Sequence, residues 1–119
     1  MAAAVTLYGI PNCDSIRKAR NWLQAQAIDY RFHDYRKQGV DIELLQSMAQ
    51  QLGWEVMLNR RGTTWRALPD PVKAQIDEAS ALLLMQDNPA IIKRPILQQN
   101  ERMYIGFNPE QYQEIFDPA

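Results

Sequence analysis

The chain has 119 residues, of which 46% are apolar and 23% charged, and this composition is typical of a single soluble globular domain. Thirteen Lys and Arg against fourteen Asp and Glu argue against broad contact with nucleic acid or a membrane surface, and no apolar run approaches the ~20 residues that span a bilayer. One cysteine, one histidine and no secretory signal pattern predict a cytoplasmic protein with no disulfide framework and no metal site.

The first third of the chain predicts a strand, a helix and a second strand. Residues 5–8 are β-branched and aromatic and precede a cluster of turn formers. Residues 30–33 alternate apolar and polar side chains, and residues 36–39 break that pattern. Between the strands a helix is expected to begin at Asp14, so the three elements form a right-handed parallel βαβ unit. The predicted inner face of this helix is Ile16, Ala19, Leu23 and Ala27.

The middle of the chain predicts helices only. Asp41 is a suitable N-cap for the first of them. Two short pieces follow, one over residues 63–68 and one that starts at Asp70, with Asp70 as N-cap and Pro71 in the first helical position. Another helix is expected over about residues 77–87. The predicted inner faces of the two long helices are Leu45, Met48, Ala49 and Leu52, and Ala79, Leu82, Leu83 and Gln86.

The last part of the chain predicts a hairpin and a helix. Residues 94–98 and 102–105 are expected to pair as antiparallel strands, and Asn108 to cap a helix with Tyr112, Ile115 and Phe116 on its inner side. This order of elements predicts an α/β domain with a four-stranded mixed sheet and helices on its faces. We expect a single domain over residues 1–119, with a core of about 1–40 and 90–119 and a helical insertion of about 41–89.

Cys13 is the residue most strongly indicated for chemistry. It lies where the first strand turns into the first helix, so its sulfur is expected near unpaired backbone N–H groups and the positive end of the helix dipole. Such a position lowers a thiol pKa and makes the thiolate available at neutral pH. The alternative is a buried structural cysteine, but the surrounding loop is polar, which favours a reactive thiol.

A second cysteine would be needed for a dithiol mechanism, and Ile16 occupies the position where one would be expected. Any intermediate on Cys13 must therefore be resolved by an external thiol. Glutathione or a glutaredoxin-type protein could supply that thiol through a mixed disulfide.

Basic residues elsewhere could bind an anion. Arg94 precedes Pro95 at the start of a predicted strand, and a proline there can be cis. Arg60 and Arg61 form a pair in a loop that could present a guanidinium fork to an oxyanion or carboxylate. For all three arginines the alternative is an ordinary solvated charge. His33 has no catalytic partner at informative spacing and is expected to be structural or exposed.

Three segments of the chain together resemble the arsenate reductase (ArsC) family. They are YGIPNCDSIRKA over residues 8–19, LNRRG over 58–62 and KRPIL over 93–97. Within that family the chain is most similar to the YffB branch, which is related to the Spx regulators. The resemblance implies a thioredoxin-like fold with a helical insertion, in agreement with the order of elements read above.

The resemblance also implies roles for individual residues. Cys13 matches the nucleophilic cysteine of the family. Arg94 matches the arginine before a cis-proline, and Pro95 matches that proline. The arginine of the insertion is matched by Arg61, with Arg60 as the second choice. These basic groups would hold an anionic substrate or glutathione against the sulfur. The predicted substrate-binding residues are Arg94, Arg61, Arg60, Asn12 and Pro95.

Two departures from the family pattern bear on the substrate. Arsenate reductases have a histidine where this chain has Gly9, and a further arginine before the last helix, where this chain has Phe107-Asn108-Pro109. The favoured function is therefore a glutathione-dependent thiol reductase that acts on a small anionic or disulfide substrate, with glutathione as co-substrate and no bound cofactor. The alternatives are arsenate reduction and an Spx-like regulator that binds RNA polymerase. Spx proteins commonly carry a CxxC switch, and Ile16 replaces its second cysteine here.

Overall fold

The computed structural model describes residues 4–117, and the chain divides into two compact units. The first unit runs up to Asp34 and resumes at Arg94, and the second unit is Tyr35–Lys93. These boundaries lie a few residues from the limits expected for a core and a helical insertion, and the assignment of one domain to the whole chain stays a prediction. No helix within residues 4–117 is long and apolar enough to cross a membrane.

The first unit contains a four-stranded sheet of β1 (Val5–Gly9), β2 (Arg31–Asp34), β3 (Ile96–Gln99) and β4 (Arg102–Ile105). The order of the strands in the sheet is β2-β1-β3-β4. β1 pairs parallel with β2 and antiparallel with β3, which pairs antiparallel with β4. The mixed sheet and the parallel strand pair are therefore as predicted. The helices of this unit are α1 (Asp14–Ala25) and α8 (Pro109–Phe116).

The core of the first unit joins the sheet to α1 and α8. Leu7 of β1 lies opposite Leu97 of β3, and both are fully buried with Ala19 and Leu23 of α1 and Tyr112 of α8. The Tyr112 hydroxyl has no hydrogen-bond partner among the described residues, and burial raises the pKa of Tyr112. The tyrosine is therefore neutral and acts as a packing residue. This core fixes α1, and hence the residue at its N-terminus, against β1.

The ends of the helices mostly follow their predicted signals. The Asn108 side chain accepts a hydrogen bond from the Gln111 N–H at 3.1 Å and caps α8. Ile16, Ala19 and Leu23 of α1 are buried as predicted, but the prediction for Ala27 was wrong. α1 ends at Ala25, and Ala27 has a φ of 57° in the turn that follows, because the chain must reverse there to enter β2.

The second unit is helical, as predicted. The Asp41 side chain accepts a hydrogen bond from the Leu44 N–H at 2.8 Å, and Asp77 forms a capping box with Ser80. A 3₁₀ turn, Pro89–Ile91, precedes the return of the chain to the sheet. The helices are α2 (Tyr35–Gln38), α3 (Ile42–Leu52), α4 (Trp54–Met57), α5 (Thr63–Arg66), α6 (Asp70–Ala74) and α7 (Glu78–Asp87).

Some predictions for the second unit were wrong. Asp70 is the first residue of α6 and Pro69 its N-cap, so the predicted start was one residue late. In α7 the buried side chains are Ala81, Leu82 and Met85, whereas Leu83 is 55% exposed. Residues 79–85 are apolar on almost every side of the helix, so their spacing does not identify the inner face. The short helices α2 and α4 were not predicted.

Candidate active site

Cys13 is the N-cap of α1. β1 ends at Gly9, and a short loop leads through Asn12, whose φ of 65° lies in the left-handed region that asparagine tolerates. Cys13 itself is extended, with φ −118° and ψ 133°, and its carbonyl accepts the first helical hydrogen bond from the Arg17 N–H at 2.9 Å. Its side chain is partly buried. The thiol thus lies at the predicted junction of strand and helix.

The surroundings of Cys13 favour its charged form. Burial is the largest single influence and alone would raise the pKa of the thiol. Three groups lower the pKa, namely the Ile16 N–H, the Arg94 guanidinium and the Ser15 N–H. Together they outweigh the effect of burial, so the pKa of Cys13 lies below its usual value. The Cys13 side chain forms no capping hydrogen bond with α1. The Ile16 and Ser15 N–H groups and the Arg94 guanidinium favour the thiolate over the neutral thiol.

The sheet brings Arg94 to the thiol. Ile96 at the start of β3 lies opposite Tyr8 near the end of β1, and the two strands are antiparallel. The residues just before Ile96 therefore run beside the loop that follows β1. Arg94 lies in this segment, is partly buried, and contributes both a hydrogen bond and its charge to the Cys13 thiolate. A cis bond joins Arg94 to the buried Pro95.

The other predicted site residues fall into two groups. Asn12 is exposed and precedes Cys13 directly, and the buried Pro95 follows Arg94 across the cis bond, so each is the chain neighbour of a residue of the thiolate pair. Arg60 and Arg61 lie in the second unit, in the loop before α5, where the Arg60 guanidinium lies 5.2 Å from the centre of the Trp65 ring. The Arg61 N–H donates to the Asn59 side chain at 3.1 Å. Their action on the thiol stays a prediction.

His33 is partly buried in β2, and its ring centre lies 5.0 Å from that of Tyr8. This packing is consistent with the structural role expected for the only histidine. Within residues 4–117, no group of three His, Cys, Asp or Glu side chains could hold a metal ion. The lowered pKa of Cys13 beside the Arg94 guanidinium supports the chemistry of a thiolate paired with an arginine.

Sequence reasoning missed a groove along α1 that begins next to Asn12. Arg20 lies in it, and its guanidinium is held by the side chains of Tyr30 and Phe32. A polar stripe at positions 17, 20, 21 and 24, which are neighbours at helical spacing, was the signal that could have found it. The groove has a volume of about 310 Å³ and is lined by Pro11, Asn12, Ile16, Arg17, Arg20, Asn21 and Gln24.

The pH dependence of alkylation tests the state of the thiol. The rate at which iodoacetamide modifies Cys13 should rise with pH to a midpoint below that of a free cysteine, ~8.5, because only the thiolate reacts. Cys13 is the only cysteine, so no other thiol contributes. The same chain unfolded in urea is the matched reference. A folded-state midpoint at or above the unfolded one would contradict the lowered pKa.

Comparison of the sequence with known proteins places the site in a family context. The model of the ArsC family matches residues 8–115. An uncharacterized protein of Haemophilus influenzae is 45% identical over 112 residues, which cover 94% of this chain and 98% of that protein. The global transcriptional regulator Spx of Enterococcus faecalis is 31% identical over 112 residues, which cover 90% of this chain and 82% of the regulator.

Solved structures agree with the sequence comparison. A YffB protein superposes with a TM-score of 0.88 at 45% identity, covering 91% of this chain and 95% of its own. An arsenate reductase related protein from Brucella melitensis gives 0.77 at 46% identity, covering 98% of both chains. A glutaredoxin from Archaeoglobus fulgidus superposes with a TM-score of 0.50, covering 97% of this chain and 87% of its own. It is only 12% identical, so this similarity shows the fold and nothing further. The protein therefore belongs to the ArsC family and has a thioredoxin-like fold.

Proposed function

We propose that the protein is a glutathione-dependent thiol reductase with Cys13 as its nucleophile. The observation that carries this proposal is the lowered pKa of a single, partly exposed thiol at a helix N-terminus beside Arg94. A thiolate that is present at neutral pH can attack a disulfide, and the fold is one that glutaredoxin shares. We further propose that the reaction takes place in the cytoplasm, where glutathione keeps thiols reduced.

The proposed reaction has two exchange steps. The Cys13 thiolate attacks the glutathione sulfur of a mixed disulfide, a new S–S bond forms, and the substrate sulfur departs as a thiolate that takes a proton from water. A second glutathione, as thiolate, then attacks the glutathionyl sulfur on Cys13. This step releases the Cys13 thiolate and gives oxidised glutathione, so glutathione supplies both electrons. A glutaredoxin-type protein could replace the second glutathione.

Mass spectrometry after exposure to oxidised glutathione tests the proposal. We expect one glutathionyl adduct on Cys13, which excess reduced glutathione then removes. Cys13→Ser is the control and should take up no adduct. If the folded protein forms no adduct although iodoacetamide still alkylates Cys13, the thiol is accessible but does not exchange with glutathione, and the proposed function is wrong.

The likeness to Spx supports a second candidate, a regulator that binds RNA polymerase without turnover. The chain lacks the second thiol of a CxxC switch, since an isoleucine, the buried Ile16, occupies that position. A pull-down on RNA polymerase separates the two functions. Stoichiometric recovery of the protein with the polymerase, together with no reductase turnover, would favour the regulator.

Arsenate reduction has support from the Brucella melitensis structure, which is that of an arsenate reductase related protein. Gly9 argues against it. This chain lacks the histidine that arsenate reductases carry here, and any side chain at this position would require Ile16 to shift. A coupled assay with arsenate, glutathione and glutaredoxin tests this alternative directly, and turnover in that assay would restore it.

A further inference from the structure

The groove along α1 contains a guanidinium that is fixed in place without a carboxylate. The Arg20 Nε–H donates to the Tyr30 hydroxyl at 3.0 Å, and the Arg20 guanidinium carbon lies 4.4 Å from the centre of the Phe32 ring. Among residues 4–117, no Asp or Glu forms an ion pair with Arg20. Its remaining N–H donors are thus available to an anion from outside the chain.

The neighbours of Arg20 add to this anion site. The Tyr30 hydroxyl also accepts a hydrogen bond from the Gln24 side chain at 3.5 Å, so one hydroxyl orients two groups that line the groove. The Arg17 guanidinium pairs with Asp14 at 2.9 Å, but both side chains are largely exposed, and water and salt screen such a pair. Arg20 is therefore the anchored positive charge of the groove.

The groove lies within reach of the thiol. It begins at Asn12, next to Cys13, and Arg20 is seven residues beyond Cys13 along the helix, a rise of about 10 Å. Its volume of about 310 Å³ is at the lower end of the range for small-ligand sites. A peptide disulfide has carboxylates several bonds away from its sulfur. Such a ligand could place its sulfur at Cys13 and a carboxylate at Arg20 together.

We propose that Arg20 binds a carboxylate of the glutathionyl group while its sulfur reacts at Cys13. This inference rests on the proposed function and deepens it, because it assigns the recognition of glutathione to a residue distinct from Arg94. A planar, pre-oriented guanidinium suits a carboxylate better than a flexible ammonium does. The protein should then discriminate anionic peptide disulfides from neutral ones before any bond is exchanged.

A comparison of two disulfides distinguishes binding of the carboxylate at Arg20 from the reaction at the Cys13 sulfur. The rate of mixed-disulfide formation on Cys13 is measured with oxidised glutathione and with bis(2-hydroxyethyl) disulfide, which has no carboxylate. Arg20→Gln should slow the reaction with oxidised glutathione by about 3- to 10-fold and leave the neutral disulfide unaffected. Arg20→Lys should recover only part of the loss. Lys18→Gln, which removes the same charge from an exposed position outside the groove, is the matched control and should change neither rate.

Three results would count against the inference. Arg20→Gln could slow both disulfides equally, which would indicate an effect on the thiol or the fold. Arg20→Gln could leave both rates unchanged, which would show that Arg20 does not bind the disulfide. Lys18→Gln could slow the reaction with oxidised glutathione as much as Arg20→Gln does, which would indicate general electrostatics. Each result would leave glutathione dependence standing. The proposed function fails separately, when the wild-type protein reacts with the neutral disulfide but not with oxidised glutathione.

Discussion

Replacing Arg94 with alanine is expected to lower kcat/KM for glutathione-linked disulfide reduction by about 10- to 150-fold while the fold remains intact. The reason is that Arg94 provides both a hydrogen bond and a charge to the Cys13 thiolate in a partly buried site. Loss of a hydrogen bond to a charged group in such a site is worth on the order of 1.5 to 3 kcal/mol of transition-state stabilisation. Part of the loss should appear as a higher alkylation midpoint for Cys13, because the thiolate loses its cationic neighbour.

Two further variants show whether the effect belongs to this guanidinium. Arg94→Lys should recover only part of the activity, since a point charge does not reproduce a planar fork. Arg102→Ala removes an exposed arginine from the same unit and should leave kcat/KM and the alkylation midpoint unchanged. Thermal melting of all three variants checks the fold. Kinetics near those of the wild type in Arg94→Ala would show that Arg94 contributes nothing to the reaction and leave Cys13 as the only supported site residue.

The parts of the fold that sequence predicted are those with one clearly buried face. In β1 and α1 the apolar residues recur with the period of the element, and side chains such as Asp41 and Asn108 mark where helices begin. α7 shows the limit of this reasoning, since an apolar run on every side has no periodicity from which to choose a face. α4 has only four residues, too few to show a period at all.

The residues of the candidate site differ in how far their surroundings are local in the sequence. Cys13 could be predicted because its environment is local, since the helix that follows it supplies the Ser15 and Ile16 N–H groups. Arg94 lies 81 positions beyond Cys13 in the chain and comes close to it only because β3 pairs with β1, so the motif resemblance indicated Arg94 and periodicity did not. The orientation of Arg20 depends on side chains of the following strand region, which no local pattern contains.

Gly9 couples the packing of β1 to the thiol, and Gly9→Ala is expected to destabilise the protein. The new Cβ would overlap the Cδ1 of Ile16 and lie 2.9 Å from its Cγ1, and Ile16 is only 2% exposed, so it has little room to move. Overpacking of this kind costs about 1 to 3 kcal/mol. Replacing glycine stiffens the unfolded chain and offsets about 0.4 to 1 kcal/mol of that cost. The clash is the larger effect, so the midpoint of urea denaturation should fall.

The matched background for this prediction is Ile16→Val, which deletes the Cδ1 that the new methyl group would overlap. In that background Gly9→Ala should cost less, and the difference between the two backgrounds measures the contact directly. Because the Ile16 N–H also stabilises the Cys13 thiolate, a shift of Ile16 should raise the alkylation midpoint as well. Equal costs in both backgrounds, with an unchanged alkylation midpoint, would show that Gly9 has no such coupling to the site.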